Sequence, residues 1–181
     1  MISPRRRPRA RLFAAGLFAV FCAVSTAFNL PSAAQEASPS HDAVLQIIGK
    51  VGRPLTLHDA DLAALPRRRL TVTDEHGNRV TYEGVSVADL LHRAGAPLGK
   101  QLRGPQLALY VLVSAADGYR AVFALPEFDP AFTDRVIVLA DRRDGHQMAA
   151  PDGPFRVIVP DEKRHARWVR EVTSLEVKQA Q

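Results

Sequence analysis

The sequence predicts an α+β fold, rich in strand, with a single domain behind an N-terminal leader. Three observations carry that expectation. The apolar residues fall in short runs, many alternating with polar ones, as half-buried strands require. Turn-forming Gly, Pro, Asn and Asp separate the runs. Two or three short helical patterns are inserted among them, and no internal repeat or second domain boundary appears.

The leader comes first. Arg5, Arg6, Arg7, Arg9 and Arg11 precede an uncharged stretch from Leu12 to Ala27, and Ser32-Ala33-Ala34 supplies small residues for cleavage. A positive start, an apolar centre and a small-residue site form a secretory signal, expected to be cut after Ala34. The apolar run is roughly 16 residues, shorter than the roughly 20 that span a bilayer. Cys22 follows bulky Phe21, which does not suit lipid attachment, and Pro8 and Arg9 depart from the twin-arginine pattern. The expected domain order is a signal peptide over 1–34, a linker over 35–43 and one domain over 44–178, working in the periplasm or outside the cell.

The elements follow in order. Val44 to Val51 is β-branched and reads as a buried strand. Thr56 is a candidate N-cap for a short helix ending near Leu65, where Pro66 stops it. Leu70 to Thr73 and Arg79 to Glu83 alternate around Glu75-His76-Gly77-Asn78, which predicts a hairpin. Ser86 caps a helix over Val87 to Ala94 with Leu90 and Leu91 inward, and Gly95 ends it. Leu107 to Ala115 is a strand. Asp117-Gly118 turns it back into Tyr119 to Leu125, with Tyr119, Ala121 and Phe123 on one face. Val136 to Ala140 and Phe155 to Val159 are short buried strands, separated by a polar turn at Arg142-Arg143-Asp144-Gly145. Glu171 to Lys178 closes the domain with Val172, Leu175 and Val177 inward.

Charge and composition exclude several functions. The net charge of +5 comes from 24 basic and 19 acidic residues. Five of the basic residues are in the leader, so 24 − 5 = 19 remain against 19 acids. The domain is balanced, and nucleic acid is not an expected partner. With Cys22 in the leader, the domain has no thiolate. The six histidines form no pair at metal spacing, and neither a nucleophile elbow nor a phosphate-cradling glycine loop is present. Arg67-Arg68-Arg69 reads as a solvated strand edge.

Two clusters remain as candidate sites. Lys163, Arg164, Arg167 and Trp168 bring three cations beside one aromatic ring. Cations can bind a phosphate by charge-assisted hydrogen bonds and Trp168 can stack on a flat ring, or the segment is a solvated turn with Trp168 anchoring the core. Asp117, Tyr119 and Arg120 can line a pocket mouth, or serve simply to form a hairpin.

The order of the segments resembles the molybdopterin-binding domain of the sulfite oxidase family. The residues that carry the likeness are Val80 to Leu91, Ala116 to Leu125, Val138 to Asp141, Gly153-Pro-Phe-Arg-Val-Ile-Val-Pro160, and Lys163-Arg-His-Ala-Arg-Trp-Val-Arg170. They span roughly residues 44–178. The resemblance implies a β-rich domain of that type and molybdopterin as cofactor. It places the segment before the last strand beside the pterin and its phosphate, so Lys163, Arg164, Arg167, Trp168, Asp117, Tyr119 and Arg120 become the expected cofactor-binding residues. Catalytic members hold molybdenum through a cysteine, commonly two residues before a Gly-Asn pair. Here that pair is Gly77-Asn78 and the position holds Glu75. Thiolate suits a molybdenum–sulfur centre in a way that carboxylate does not. The expected function is therefore an exported, molybdopterin-binding, oxidoreductase-type domain without ordinary catalysis. Its partners would be a pterin or small anionic ligand and a periplasmic or membrane redox or sensor protein. The alternative is an accessory protein that keeps the fold without the cofactor.

Overall fold

A computed structural model describes residues 43–180. The leader, its cleavage site and most of the linker lie outside the described residues. Among the described residues, ten strands form two sheets. In the first sheet β1 (Val44–Gly49) lies between β2 (Leu55–His58) and β10 (Val172–Gln179), and β5 (Leu109–Ala115) and β6 (Arg120–Ala124) follow on the far side of β10. Only the β1–β10 pair is parallel; the other pairs in this sheet are antiparallel. In the second sheet β4 (Arg79–Ser86) joins β3 (Arg67–Thr73) to β7 (Val138–Arg143). The other edge of β7 carries β9 (Arg156–Ile158) beside Val138–Ala140 and β8 (His146–Gln147) beside Arg142–Arg143.

The inward residues follow from period-two geometry. Leu109, Val111, Val113 and Ala115 of β5 are buried and alternate with half-buried neighbours. Two irregularities break the alternation and explain otherwise odd sequence patterns. The β10 register shifts between Val172 and Ser174, so Val172 and Leu175, three residues apart, both face the core. The β4–β7 register shifts at Glu83/Gly84, and Gly84, Val85 and Ser86 are consecutively buried. A bulge of this kind inserts one residue and reorients the strand. Both sheets contribute to one core cluster that includes Leu45, Tyr82, Leu91, Phe123, Phe155 and Leu175.

Several expectations need correction. Thr56 does not cap a helix. It lies in β2 opposite Gln46, because Leu55–His58 pairs with the edge of β1. The helix α1 (Asp59–Ala63) starts after His58, whose backbone N–H donates to Asp61 Oδ2 at 2.9 Å. Helix α2 (Val87–Arg93) begins after Ser86 as expected, but the serine hydroxyl makes no cap bond. The first free N–H, on Val87, donates to Ile137 O at 3.0 Å instead. Arg142 and Arg143 belong to β7, which leaves Asp144-Gly145 as the turn. Tyr119 falls outside β6 and is 48% exposed, whereas Ala121 and Phe123 are buried as expected. The Arg67-Arg68-Arg69 run lies on the outer strand of the second sheet, where Arg67 pairs with Asp141 and Arg69 with Glu83. Among the described residues no helix is long and apolar enough to cross a membrane.

Candidate functional site

Four connecting segments meet at one end of the sheets: the β3–β4 turn, the 116–119 turn, the stretch leading into β9, and residues 161–171 before β10. They enclose a cleft of about 290 Å³ with walls from Glu75, Asp117, Tyr119, Asp152, Arg156, His165 and Trp168. Two depressions adjoin it and share Glu75 and His165, one toward Tyr82 and Arg143 and one toward Lys163 and Arg164. A larger cavity of about 680 Å³ lies elsewhere, among Met148, Pro154, Phe155 and Val172, and its walls are mainly apolar. Arginines and aromatic rings come together at the first cleft, and we place the candidate site there.

Arg156 is its least exposed cation. The side chain is 12% exposed, and Nη1 donates to Asp152 Oδ1 at 3.0 Å. Its guanidinium lies 6.0 Å from the Tyr82 ring centre and 5.9 Å from that of Trp168. A weakly hydrated, planar cation is suited to such aromatic contact. Its Nε is buried and, among the described residues, has no hydrogen-bond partner. Arg143 and Arg170 also approach Asp152, each at 3.9 Å, and Arg143 reaches Asp74 at 3.4 Å. Three guanidinium groups thus share one carboxylate. Burial raises the pKa of the Tyr82 hydroxyl, while Arg156 and Arg143 pull the other way. Asp74 is held below the usual carboxylate range. The Asn78 N–H contributes most and the His76 N–H adds to it, both donating to Oδ1.

The expected site residues separate into three groups. Asp117, Tyr119 and Trp168 line the cleft. The Asp117 turn and the basic segment are joined directly, since Tyr119 OH donates to Ala166 O at 2.8 Å. Trp168, however, has no open face for a ligand. It is 4% exposed, His165 stacks on it at 3.8 Å, and Nε1 donates to Val159 O at 2.8 Å. The rings open to a ligand are the half-buried His165 and the exposed Tyr119. Lys163 and Arg164 are exposed and line the adjoining depression. Arg167 and Arg120 line none of these spaces. Arg167 is held by Glu162 and Glu127, and Arg120 is an exposed β6 residue opposite Ser114. Burial works against the Arg167 charge, but Glu162 and Glu127 more than restore it and its pKa is raised.

Sequence reasoning passed over Arg143, Asp152, Arg156, His165 and Arg170. One signal was available for Arg156: a lone cation between Phe155 and Val157 in an apolar run marks a charge forced inward, which needs partners. Convergence of the others on Asp152 required the fold.

The profile of the oxidoreductase molybdopterin-binding domain matches residues 32–181, most of the chain. The chain belongs to that family. Among solved structures it is similar to the sulfane dehydrogenase SoxCD from Paracoccus pantotrophus, with a TM-score of 0.59 and 23% identity. The match covers 75% of this chain and 38% of SoxCD, and at that identity the likeness establishes the fold. No curated protein matches the chain. The sulfite oxidase-type fold is thus found as expected, and molybdopterin is the cofactor of the family.

The cleft fits one part of that cofactor. The Arg156 guanidinium, with its unpartnered Nε, and Arg170 would hold an anionic group, and His165 and Tyr119 would border a flat ring. The metal end fits less well. The single cysteine, Cys22, lies outside the described residues, and among those residues no group of His, Cys, Asp or Glu could hold a metal ion. Glu75 borders the cleft at the β3–β4 turn with an exposed carboxylate, a hard oxygen donor.

Proposed function

We propose that this is an exported cofactor-binding domain of the molybdopterin oxidoreductase type that holds the pterin by its anionic and ring portions and lacks the family's ordinary turnover. The observation that carries the reading is a nearly buried arginine whose Nε has no partner among the described residues, set in a cleft to which those residues bring no sulfur donor. When bound, the cofactor supplies two-electron redox chemistry at molybdenum. The chain's own contribution is binding and orientation. Arg156 and Arg170 meet negative charge, His165 backs the ring, and the Tyr119–Ala166 bond keeps the two walls together. The leader supports a periplasmic or secreted location, and a redox or sensor protein there is the natural partner.

A second reading has its own support. Glu75, Asp117 and Asp152 line the cleft beside Arg156 and Arg170, so its carboxylates already match its guanidinium groups. A cleft neutralised from within suits an accessory protein that has dispensed with the cofactor. Purification from the periplasm of a host that makes the cofactor separates the two. Released pterin fluorescence at about one equivalent is the expected result, and Arg156→Ala should lower it roughly tenfold, in keeping with loss of one charge-assisted contact. Absence of both pterin and molybdenum would establish the accessory reading. Mass spectrometry of the same sample should give an N-terminus near Gln35; an intact Met1 would contradict export with cleavage.

A further inference from the structure

We propose that Arg167 is a positioning residue, a clamp that fixes one wall of the cleft, and not a grip on an anion. Its Nε donates to Glu162 Oε1 at 2.8 Å, and Nη2 also pairs with Glu162. Nη1 donates to the Glu127 carboxylate at 3.0 and 3.1 Å and approaches Val122 O at 3.5 Å. The planar group lies 4.5 Å from the centre of the Phe123 ring. All three of its nitrogens therefore have partners inside the protein, and a bound anion would have to displace carboxylates to reach them.

Those partners show what the clamp holds. Glu162 belongs to the same segment as Arg167, so that contact stiffens the segment. Glu127 lies just beyond β6, where its Oε1 also accepts the Ala124 N–H at 2.9 Å and is fixed in place. Arg167 thus ties residues 161–168 to the end of β6. The Tyr119–Ala166 bond ties the same segment to the start of β6. His165 sits beside both ties, stacked on Trp168 and facing the cleft. Trp168 stays anchored through Nε1 on Val159 O. Without Arg167 the residues ahead of that anchor keep only the Tyr119–Ala166 tie to β6 and are free to pivot, carrying His165 away from its stacking position.

The proposal rests on the cofactor reading for its effect on binding, but not for its ligand-free test. Glu127→Gln with Glu162→Gln keeps the shape, keeps Arg167 and removes both carboxylates. A clamp and a grip then predict opposite signs. If Arg167 is a clamp, pterin retained by the full processed chain falls roughly tenfold in the double variant, the size of a modest coupling between sites. Affinity for inorganic phosphate, followed by titration calorimetry, does not rise. If Arg167 is a grip, the freed guanidinium makes the double variant bind phosphate more tightly than wild type, and the proposal is overturned.

The second arm needs no cofactor. Trp168 is the sole tryptophan, and iodide quenching of its emission reports the wall directly. Quenching should increase in the double variant and in Arg167→Ala, and less in Arg167→Lys, while the unfolding midpoint stays near that of wild type. Unchanged quenching in all three variants overturns the clamp even if the protein carries pterin. Increased quenching supports it even if no pterin is found.

Discussion

Asp74 and Glu75 are adjacent on the β3–β4 turn and do different things. Asp74 Oδ1 accepts the N–H groups of His76 and Asn78 at 2.9 and 2.8 Å, so the carboxylate serves as the internal acceptor of the turn. Those bonds favour the charged form and hold the folded pKa below 3.8. The sign of the linkage follows: a depressed folded pKa gives stability that is present above the unfolded value and lost as pH falls through the folded one. Asp74→Asn should therefore be less stable than wild type near neutral pH. The difference should shrink as pH is taken below 3.8, and urea titrations at about pH 7 and about pH 2.5 would measure it. A constant difference at both values would assign the effect to shape instead of charge. Glu75 has a different consequence. It borders the cleft where the family resemblance implies a thiolate. Glu75→Cys would present soft sulfur to the metal end of a bound cofactor, and molybdenum per retained pterin should rise severalfold over wild type by elemental analysis. No rise would mean that the turn does not occupy the ligand position.

At the scale of elements, the bulge in β4 brings that strand unusually close to β7. A Cβ built at Gly84 would stand 2.0 Å from Leu139 O and 2.5 Å from the Cα of Ala140, both backbone atoms that cannot swing aside. Gly84→Ala should force the β4–β7 ladder apart and cost about 3 kcal/mol, the upper end for overpacking. Equilibrium urea unfolding would read this as a lower midpoint at unchanged slope. A loss under about 0.5 kcal/mol would mean that the bulge relaxes easily. The same bulge marks the limit of what the sequence discloses. Strands with regular alternation, such as Leu109–Ala115, are legible because every second side chain is buried. The β3–β4 hairpin is legible because turn residues separate two alternating runs. Thr56 misleads because a β-branched residue serves a strand as readily as it caps a helix, and the unpaired edge of β1 decides between them. The site is less legible still. The Lys163–Trp168 segment reaches the cleft, but which of its cations face inward depends on Glu127 and Glu162, and nothing local couples Arg167 to a residue forty positions earlier.

At the scale of the molecule, the two sheets are fastened through a seam to which the cleft residues Trp168 and Val169 belong. Val157 of β9 donates to Val169 O, and Val172 of β10 donates to Phe155 O, each at 2.9 Å, which ties β9 to the segment ahead of β10 and β10 to the residue ahead of β9. Trp168 sits in this seam, edge-on to Tyr82 of β4 with ring centres 6.0 Å apart, just before β10 begins. Buried residues from both sheets form one cluster, so neither sheet has an apolar core to itself. Losing either sheet would expose the inner face of the other, and a state with one sheet folded should not accumulate. Urea unfolding should therefore be a single transition, with Trp168 emission and far-ultraviolet circular dichroism giving the same midpoint. The two probes weigh the structure differently, since one reads the seam and the other reads all ten strands. If Trp168 emission changed at lower urea while the strand signal persisted, the cleft wall would be a separately opening unit, and cofactor loss would then precede unfolding instead of accompanying it.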